Sequence, residues 1–240
     1  MNQNIIKVFK DVFNKAGLDL GDEQISHIVN FYNYLVEENK HYNLTAITDP
    51  TESAIRHFAD SLMLKLSKQF LEAKTILDVG SGAGFPGLPL AISYKCKDFT
   101  LLDSLQKRIN FLENAAQLLN LTNITCVHER AESFSRIETY REKFDIVTAR
   151  AVADLSILSE YCLPAVKCGG YFIAMKSLEI EDEISKACSA IKLLGGGNIE
   201  VIEYVLLDGR KRQLIIIEKV NNTPLKYPRR PGMPKKRPLS

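Results

Sequence analysis

Over the first 70 residues the apolar positions recur every three or four residues, the spacing of helices with one face turned to a core. Ile25, Ile28, Tyr32, Leu35 and Val36 fall on one such face, with Asp22 placed to cap it. Another helix opens at Asp49-Pro50-Thr51-Glu52, where Asp49 supplies the N-cap, Pro50 occupies the first turn and Glu52 completes a capping-box pattern. Ile55, Phe58, Leu62 and Leu66 then share a face. From Thr75 onward the period changes. TILDV (75–79), FTLLD (99–103), ITCVHE (124–129), FDIVTAR (144–150) and YFIAMK (171–176) are short apolar runs, the texture of strands buried on both faces. Helical stretches near 86–95, 105–119, 154–166 and 181–193 separate them, and that alternation predicts a parallel sheet. The last two runs, near 199–207 and 212–219, flank Asp208-Gly209, a hairpin signal. The expected fold is α/β and Rossmann-like, with a mostly parallel seven-stranded sheet ending in an antiparallel hairpin. It divides into a helical extension (1–70), a sheet domain (71–220) and a tail (221–240).

The first strand runs into Asp78-Val79-Gly80-Ser81-Gly82-Ala83-Gly84-Phe85, and a glycine cluster between a strand and a helix marks close approach of backbone to a ligand. Ligands of such sheets sit beyond the carboxyl ends of the strands, where the winding reverses. Three acids occupy strand ends. Asp78 precedes the glycines, placed to attract the ammonium of a methionine moiety or to orient the loop. Asp103 ends the second strand, where a carboxylate accepts from ribose hydroxyls or caps the helix that follows. Glu132 follows the third strand, bordering the place of an adenine. Together they predict S-adenosylmethionine as cofactor. A nicotinamide or flavin site competes, because Gly82, Gly84 and Gly87 satisfy G-x-G-x-x-G. It ranks lower, since those glycines start late and Pro86 interrupts the turn that should offer amides to a pyrophosphate.

Composition sharpens the partner more than the fold. The 240 residues are 45% hydrophobic and 25% charged, enough for a core, and no apolar run reaches the roughly 20 residues of a membrane span. No signal peptide is read at the start, so the expectation is a cytoplasmic protein, with no membrane and no metal, acting as a monomer. Cys96, Cys126, Cys162, Cys168 and Cys188 form no C-x-x-C pair, and none follows a proline, which disfavours zinc and the Pro-Cys nucleophile of pyrimidine C5 methylation. Lys226, Arg229, Arg230, Lys235, Lys236 and Arg237 lie in a tail without acids; without these six cations the net charge of +2 becomes −4. A polyanion would feel that tail, and so would bulk water around a disordered one.

The fourth strand ends in Thr148-Ala149-Arg150-Ala151-Val152, without the Asn/Asp-Pro-Pro-aromatic motif used on exocyclic adenine amines. A ring nitrogen such as guanine N7 has a free lone pair and needs alignment rather than a base. Arg150 faces the crevice mouth with a fork suited to cofactor, phosphate or guanine edge, or to a nearby acid; Lys176 ends the fifth strand in a similar place. Arg56, His57 and Asn43 are polar interruptions of apolar sequence. They read equally as a satisfied histidine and a turn-capping asparagine, or as a substrate-side wall.

The segments YNLTAI, HFADSL, DVGSGAGFPGLPLAI, LLDSLQKRINFL, RAE, FDIVTARAVADL and YPRRPGMPKKRPL resemble, in order and spacing, the RsmG (GidB) family of bacterial 16S ribosomal RNA guanine-N7 methyltransferases. The resemblance covers essentially the whole chain. It implies a class I methyltransferase fold and transfer of methyl from S-adenosylmethionine to a guanine N7 of 16S rRNA or the small ribosomal subunit. It further implies cofactor contacts at Gly80, Phe85, Asp103, Ser104, Ala131, Glu132 and Arg150, with Gly82 and Gly84 in the same loop. Ser177 stands after Lys176 where the family pattern leads one to expect glycine. A tail broken by Pro228, Pro231, Pro234 and Pro238 would lie extended along RNA phosphates. A methyltransferase for a small molecule and a non-catalytic RNA-binding module remain the alternatives.

Overall fold

The computed structural model describes residues 2–150, 153–177 and 181–239. Helices α1 (Asn2–Lys15) and α2 (Asp22–Tyr42) come first, and a helical segment follows in four parts. These are α3 (Pro50–Ser53), a π-helical turn (Ala54–Ala59), α4 (Asp60–Leu62) and a 3-10 turn (Met63–Leu66), after which α5 (Lys68–Glu72) leads to the sheet. The sheet strands are β1 (Thr75–Val79), β2 (Asp98–Asp103), β3 (Ile124–His128), β4 (Phe144–Arg150), β5 (Val166–Ser177), β6 (Gly196–Val205) and β7 (Lys211–Lys219). Helices α6 (Gly87–Ser93), α7 (Gln106–Leu118), α8 (Ala131–Phe134), α9 (Leu155–Cys162) and α10 (Glu181–Leu193) alternate with them, and α11 (Met233–Lys236) lies near the end.

Strand order is β3-β2-β1-β4-β5-β7-β6, parallel throughout except β7, which runs antiparallel to both β5 and β6. The winding reverses between β1 and β4, so the crevice the sequence pointed to opens at their carboxyl ends. Because strand side chains alternate, the buried sheet feeds two cores. Ile76, Leu214 and Ile216 face one core, which they share with Phe9, Phe31 and Phe58 of the N-terminal helices. Leu77, Val79, Ile215 and Ile217 face the other, built with α9 and α10. The first 70 residues therefore cover one face of the sheet.

Three expected details differ. Gly21, not Asp22, is the N-cap of α2: its amide donates to the Gln24 side chain at 2.8 Å, while Asp22 pairs with Lys10 at 2.6 Å. Asp49 caps α3 by accepting from Thr51 and Glu52 amides, but the Glu52 carboxylate turns to Arg56 at 3.0 Å rather than back to the cap. The tail is folded on the protein. Tyr227, Pro228 and Pro234 are buried, and Pro234 sits in the first turn of α11, where a missing N–H leaves no helical bond unmade.

Candidate active site

The loop after β1 reverses through left-handed glycines, with φ of 74° at Gly80, 59° at Gly82 and 91° at Gly84. A side chain at Gly84 would also meet Leu88, whose Cδ1 is 2.5 Å from the Cβ position. Most of the loop amides are occupied within the protein. Gly80 and Ser81 donate to the Leu102 carbonyl at 2.8 and 3.1 Å, and Gly84 and Phe85 to that of Ser81 at 2.8 and 3.1 Å. Gly82 donates to Asp103 Oδ2 at 2.9 Å and Gly87 to Asp78 Oδ2 at 3.0 Å. A pyrophosphate needs such N–H groups free, so this loop is not a dinucleotide cradle.

Asp78 is buried, with one oxygen fixing the start of α6 and Oδ1 without a hydrogen-bond partner among the described residues. Burial pushes its carboxyl up to about 7. Of its two expected roles, orienting the loop is the one this geometry displays. Asp103 holds three donors: Leu105 N at 2.9 Å on Oδ1, and Gly82 N at 2.9 Å and Arg108 Nη1 at 3.2 Å on Oδ2. The first of these is the helix-entry contact expected as its alternative role. A carboxylate has about four acceptor positions, so Asp103 retains one for a ligand.

Three cavities open in series. The first, about 190 Å³, has Val79, Leu102 and Ala131 as apolar surface and Asp103, Ser104 and Glu132 as polar groups. Glu129, Arg130 and Lys235 lie at the same cavity, and acids beside aliphatic surface suit a ribose diol and a purine face, so the residues present fit an adenosine group. Gly80 borders both this cavity and a second of about 170 Å³, which Leu44, Thr45, Ser81, Gly82 and Phe85 also line. His57 and Arg150 border both the second and a third of about 490 Å³, where Arg56, Lys176, Arg210 and Arg212 converge.

His57 stands at that junction because the π-helical turn carries it there, an irregularity that recurs at functional sites. Its ring lies on Phe85, centroids 4.6 Å apart and 22° from parallel, with Nε2 2.7 Å from Thr45 Oγ1. Burial, with the nearby Arg150 charge, lowers its pKa to about 4, so the imidazole is neutral at neutral pH. Arg150 donates to Asp60 Oδ2 at 3.2 Å and to the Arg56 carbonyl at 3.3 Å, its cation 5.1 Å from the Phe85 ring. Asp60, itself buried, also accepts from Tyr204 Oη at 2.8 Å and lies 4.0 Å from Arg212.

The remaining expected residues separate. Asn43 ends α2 in the left-handed region at φ 50°, and its successors Leu44 and Thr45, not Asn43, are the cavity residues. Lys176 lines the third cavity with its ammonium held by Glu183 at 2.6 Å, and Arg56 lines it while bound to Asp208 at 2.7 Å. Ser177 ends β5 still paired with Arg212, so extended backbone, not a turn, occupies that position. Arg229 is paired with Glu160, at 2.6 Å from Nη2 and 2.9 Å from Nε, so these donors seat the tail instead of lying free for a phosphate. Lys235 lines the first cavity; Lys226, Arg230, Lys236 and Arg237 are exposed.

The family described as "rRNA small subunit methyltransferase G" matches residues 24–221. The chain belongs to that family. It is 47% identical to the Ribosomal RNA small subunit methyltransferase G of Limosilactobacillus reuteri over 236 residues, covering 96% of this chain and 98% of that one. It is 48% identical to the protein so named from Macrococcus caseolyticus, with 96% and 97% covered. In fold it is similar to a Bacillus cereus O-methyltransferase solved with SAH, at TM-score 0.58, 18% identity, and coverage of 91% of this chain and all of that one. A Klebsiella pneumoniae structure titled putative O-methyltransferase gives TM-score 0.56 at 15% identity, covering 92% of this chain and all of that one.

The methyltransferase site contains groups that pattern reading missed. Asp60, which holds Arg150, and Tyr204, which donates to Asp60, left one signal: the acid inside HFADSL. Arg210 and Arg212 were legible as DGRKR at a hairpin tip, had the sheet order been known to bring that tip beside β5. Tyr161, which lines the first cavity from α9, left none. Among the described residues no three His, Cys, Asp or Glu side chains group as metal ligands.

Proposed function

We propose that this methyltransferase moves the S-methyl group of S-adenosylmethionine to N7 of a guanine in small-subunit ribosomal RNA, acting in the cytoplasm. The observation that carries the reading is the series of cavities: a first one bordered by strand-end acids, a second along the Gly-rich loop, then a larger one rich in cations, with His57 and Arg150 shared by the last two. When bound, the cofactor supplies an electrophilic methyl on a sulfonium. Asp103 takes the ribose hydroxyls, Ser104, Ala131 and Glu132 border the adenine, and Gly80, Gly82 and Phe85 form the loop beneath the methionine end. Arg150, fixed by Asp60, presents donors to the guanine edge or its phosphate. His57 stays neutral and adds a flat wall. N7 offers its lone pair without losing a proton, so these residues need only align it with the methyl and sulfur.

The cationic third cavity suits the phosphates around an unstacked base, the form in which RNA bases are read. The test is methyl transfer from labelled cofactor to naked 16S rRNA and to small subunits, with the product mapped by strand scission specific for N7-methylguanine. Label at an exocyclic amine or a ribose would refute N7. Absence of label from every RNA form, with a small molecule labelled instead, would favour the small-substrate reading.

A further inference from the structure

The tail composition suggests an RNA arm, but its surroundings describe something else. Arg229 gives Nε, Nη2 and its own backbone N–H to the Glu160 carboxylate of α9, a side chain 1% exposed. Arg141, beyond α8, holds the carbonyls of Thr223 and Tyr227 at 2.6 and 2.9 Å, and Arg136 holds that of Pro228 at 2.5 Å. Buried Lys219 adds a bond to Thr223 Oγ1 at 2.5 Å. A segment waiting for phosphate would not have its backbone carbonyls seated by two arginines of the same chain. Past this anchor Gly232, at φ 84°, donates its N–H to Glu132 Oε1 at 2.8 Å. Gly232 and Lys235 then line the first cavity alongside Asp103, Glu132 and Tyr161.

We propose that residues 227–236 are a fixed wall of the cofactor pocket, seated on Glu160 and Glu132, and that Gly232 and Lys235 are cofactor-positioning residues. The wall narrows the open side of the cavity, excludes water from the adenosine end, and holds the Glu132 carboxylate in one orientation. The inference rests on the cofactor assignment and predicts a separation of effects: damage to the wall weakens the cofactor, not the RNA.

The test uses Gly232→Pro in the full-length chain, which removes the N–H to Glu132 and forbids the positive φ while leaving every charge in place. A chain ending at Arg230, which keeps the Arg229–Glu160 pair, is measured in parallel. S-adenosylhomocysteine binding is read by calorimetry, 16S rRNA binding by filter retention, and folding by thermal melting without ligand. The expected result is at least tenfold weaker S-adenosylhomocysteine binding in each variant that melts cooperatively, with RNA affinity of Gly232→Pro within twofold of wild type. Unchanged S-adenosylhomocysteine affinity in either folded variant overturns the wall. Weakened RNA binding by Gly232→Pro alone overturns it in favour of an RNA arm. If the wild-type chain binds no S-adenosylhomocysteine, the cofactor assignment itself has failed, a separate outcome. Cooperative melting lost in both variants overturns the cofactor-positioning role and assigns the segment to the fold.

Discussion

One carboxylate, that of Asp103, joins the Gly-rich loop, the start of α7 and the first cavity, so its loss is expected to act twice. Asp103→Ala should weaken S-adenosylhomocysteine binding by about 1–3 kcal/mol, from lost ribose contacts and a loosened Gly82. Calorimetry checks this, and wild-type affinity in the variant would remove the ribose assignment. Asp78 and His57 supply a second residue-scale test, because their titrations oppose each other. Asp78 titrates near 7 in the fold against 3.8 ordinarily, so its neutral form is favoured and its contribution is lost as pH rises across that window. A shift of three units corresponds to about 4 kcal/mol. His57 titrates near 4 against 6.5, so its contribution is complete above 6.5 and is lost as pH falls towards 4. Between about pH 4 and 6.5 the two slopes largely cancel. Asp78→Asn deletes one of them, and its unfolding free energy should rise with pH across that interval more steeply than wild type does. Urea denaturation through the interval measures it; parallel curves for the two proteins would show that Asp78 is charged when buried.

Elements whose residues are in contact with sequence neighbours were legible, and elements defined by distant contacts were not. Strands β1, β2, β4 and β5 follow from continuous apolar runs because parallel strands under helices are largely buried, whereas β3, expected as buried, is a part-exposed edge strand, and β6 and β7 were legible through the Asp208-Gly209 hairpin signal. The capped start at Asp49 was readable because an N-cap bonds within three residues. The π-helical turn carrying His57 was invisible, since Ala54–Ala59 has the same apolar spacing as an α-helix. The seating of the tail was equally hidden: Glu160 lies 69 residues before Arg229 in sequence, and the only trace was an acid within apolar LSILSEYC. The packing of the helical extension also depends on distant contacts. Phe58 touches the rings of Phe9, Phe31 and Phe85 with centroids 5.2, 5.6 and 5.2 Å away, which welds the N-terminal helices to the Gly-rich loop. Phe58→Ala should cost about 3–5 kcal/mol, the range for emptying a buried phenylalanine site, and lower cofactor affinity through Phe85. A single urea transition shifted by that amount is expected. Two transitions, with the sheet unaffected, would make the helices an independent module.

For the whole molecule, charge is partitioned by location more than by amount. The six tail cations set the sign of the net charge, yet Arg229 is neutralised by Glu160 and Lys235 faces the acidic first cavity. The wide cavity instead draws on residues far apart in sequence: Arg56 from the π-helical turn, Arg150 from β4, and Arg210 and Arg212 from the β6–β7 hairpin. Asp60 and Asp208 hold these side chains in place and offset part of their charge, Asp208 by bonding both Arg56 and Arg210. Arg212 bonds the Lys211 carbonyl at 3.2 Å and comes no closer than 4.0 Å to Asp60, and Arg210 reaches Asp208 at the rim while half exposed. These two are therefore the side chains freest to neutralise phosphate next to the target base. Each phosphate neutralised adds about 0.9 to the slope of log affinity against log salt for a duplex, and about 0.7 for a single strand. The double variant Arg210→Ala, Arg212→Ala should lower that slope by about 1.4 on an unstacked RNA segment and raise the KM for small subunits, with S-adenosylhomocysteine affinity unchanged because neither residue borders the first or second cavity. A salt slope equal to wild type would move RNA recognition away from the hairpin, to the exposed Arg230, Lys236 and Arg237. The converse pattern, a normal slope with weakened S-adenosylhomocysteine, would mean that the third cavity belongs to the cofactor and that the target base enters elsewhere.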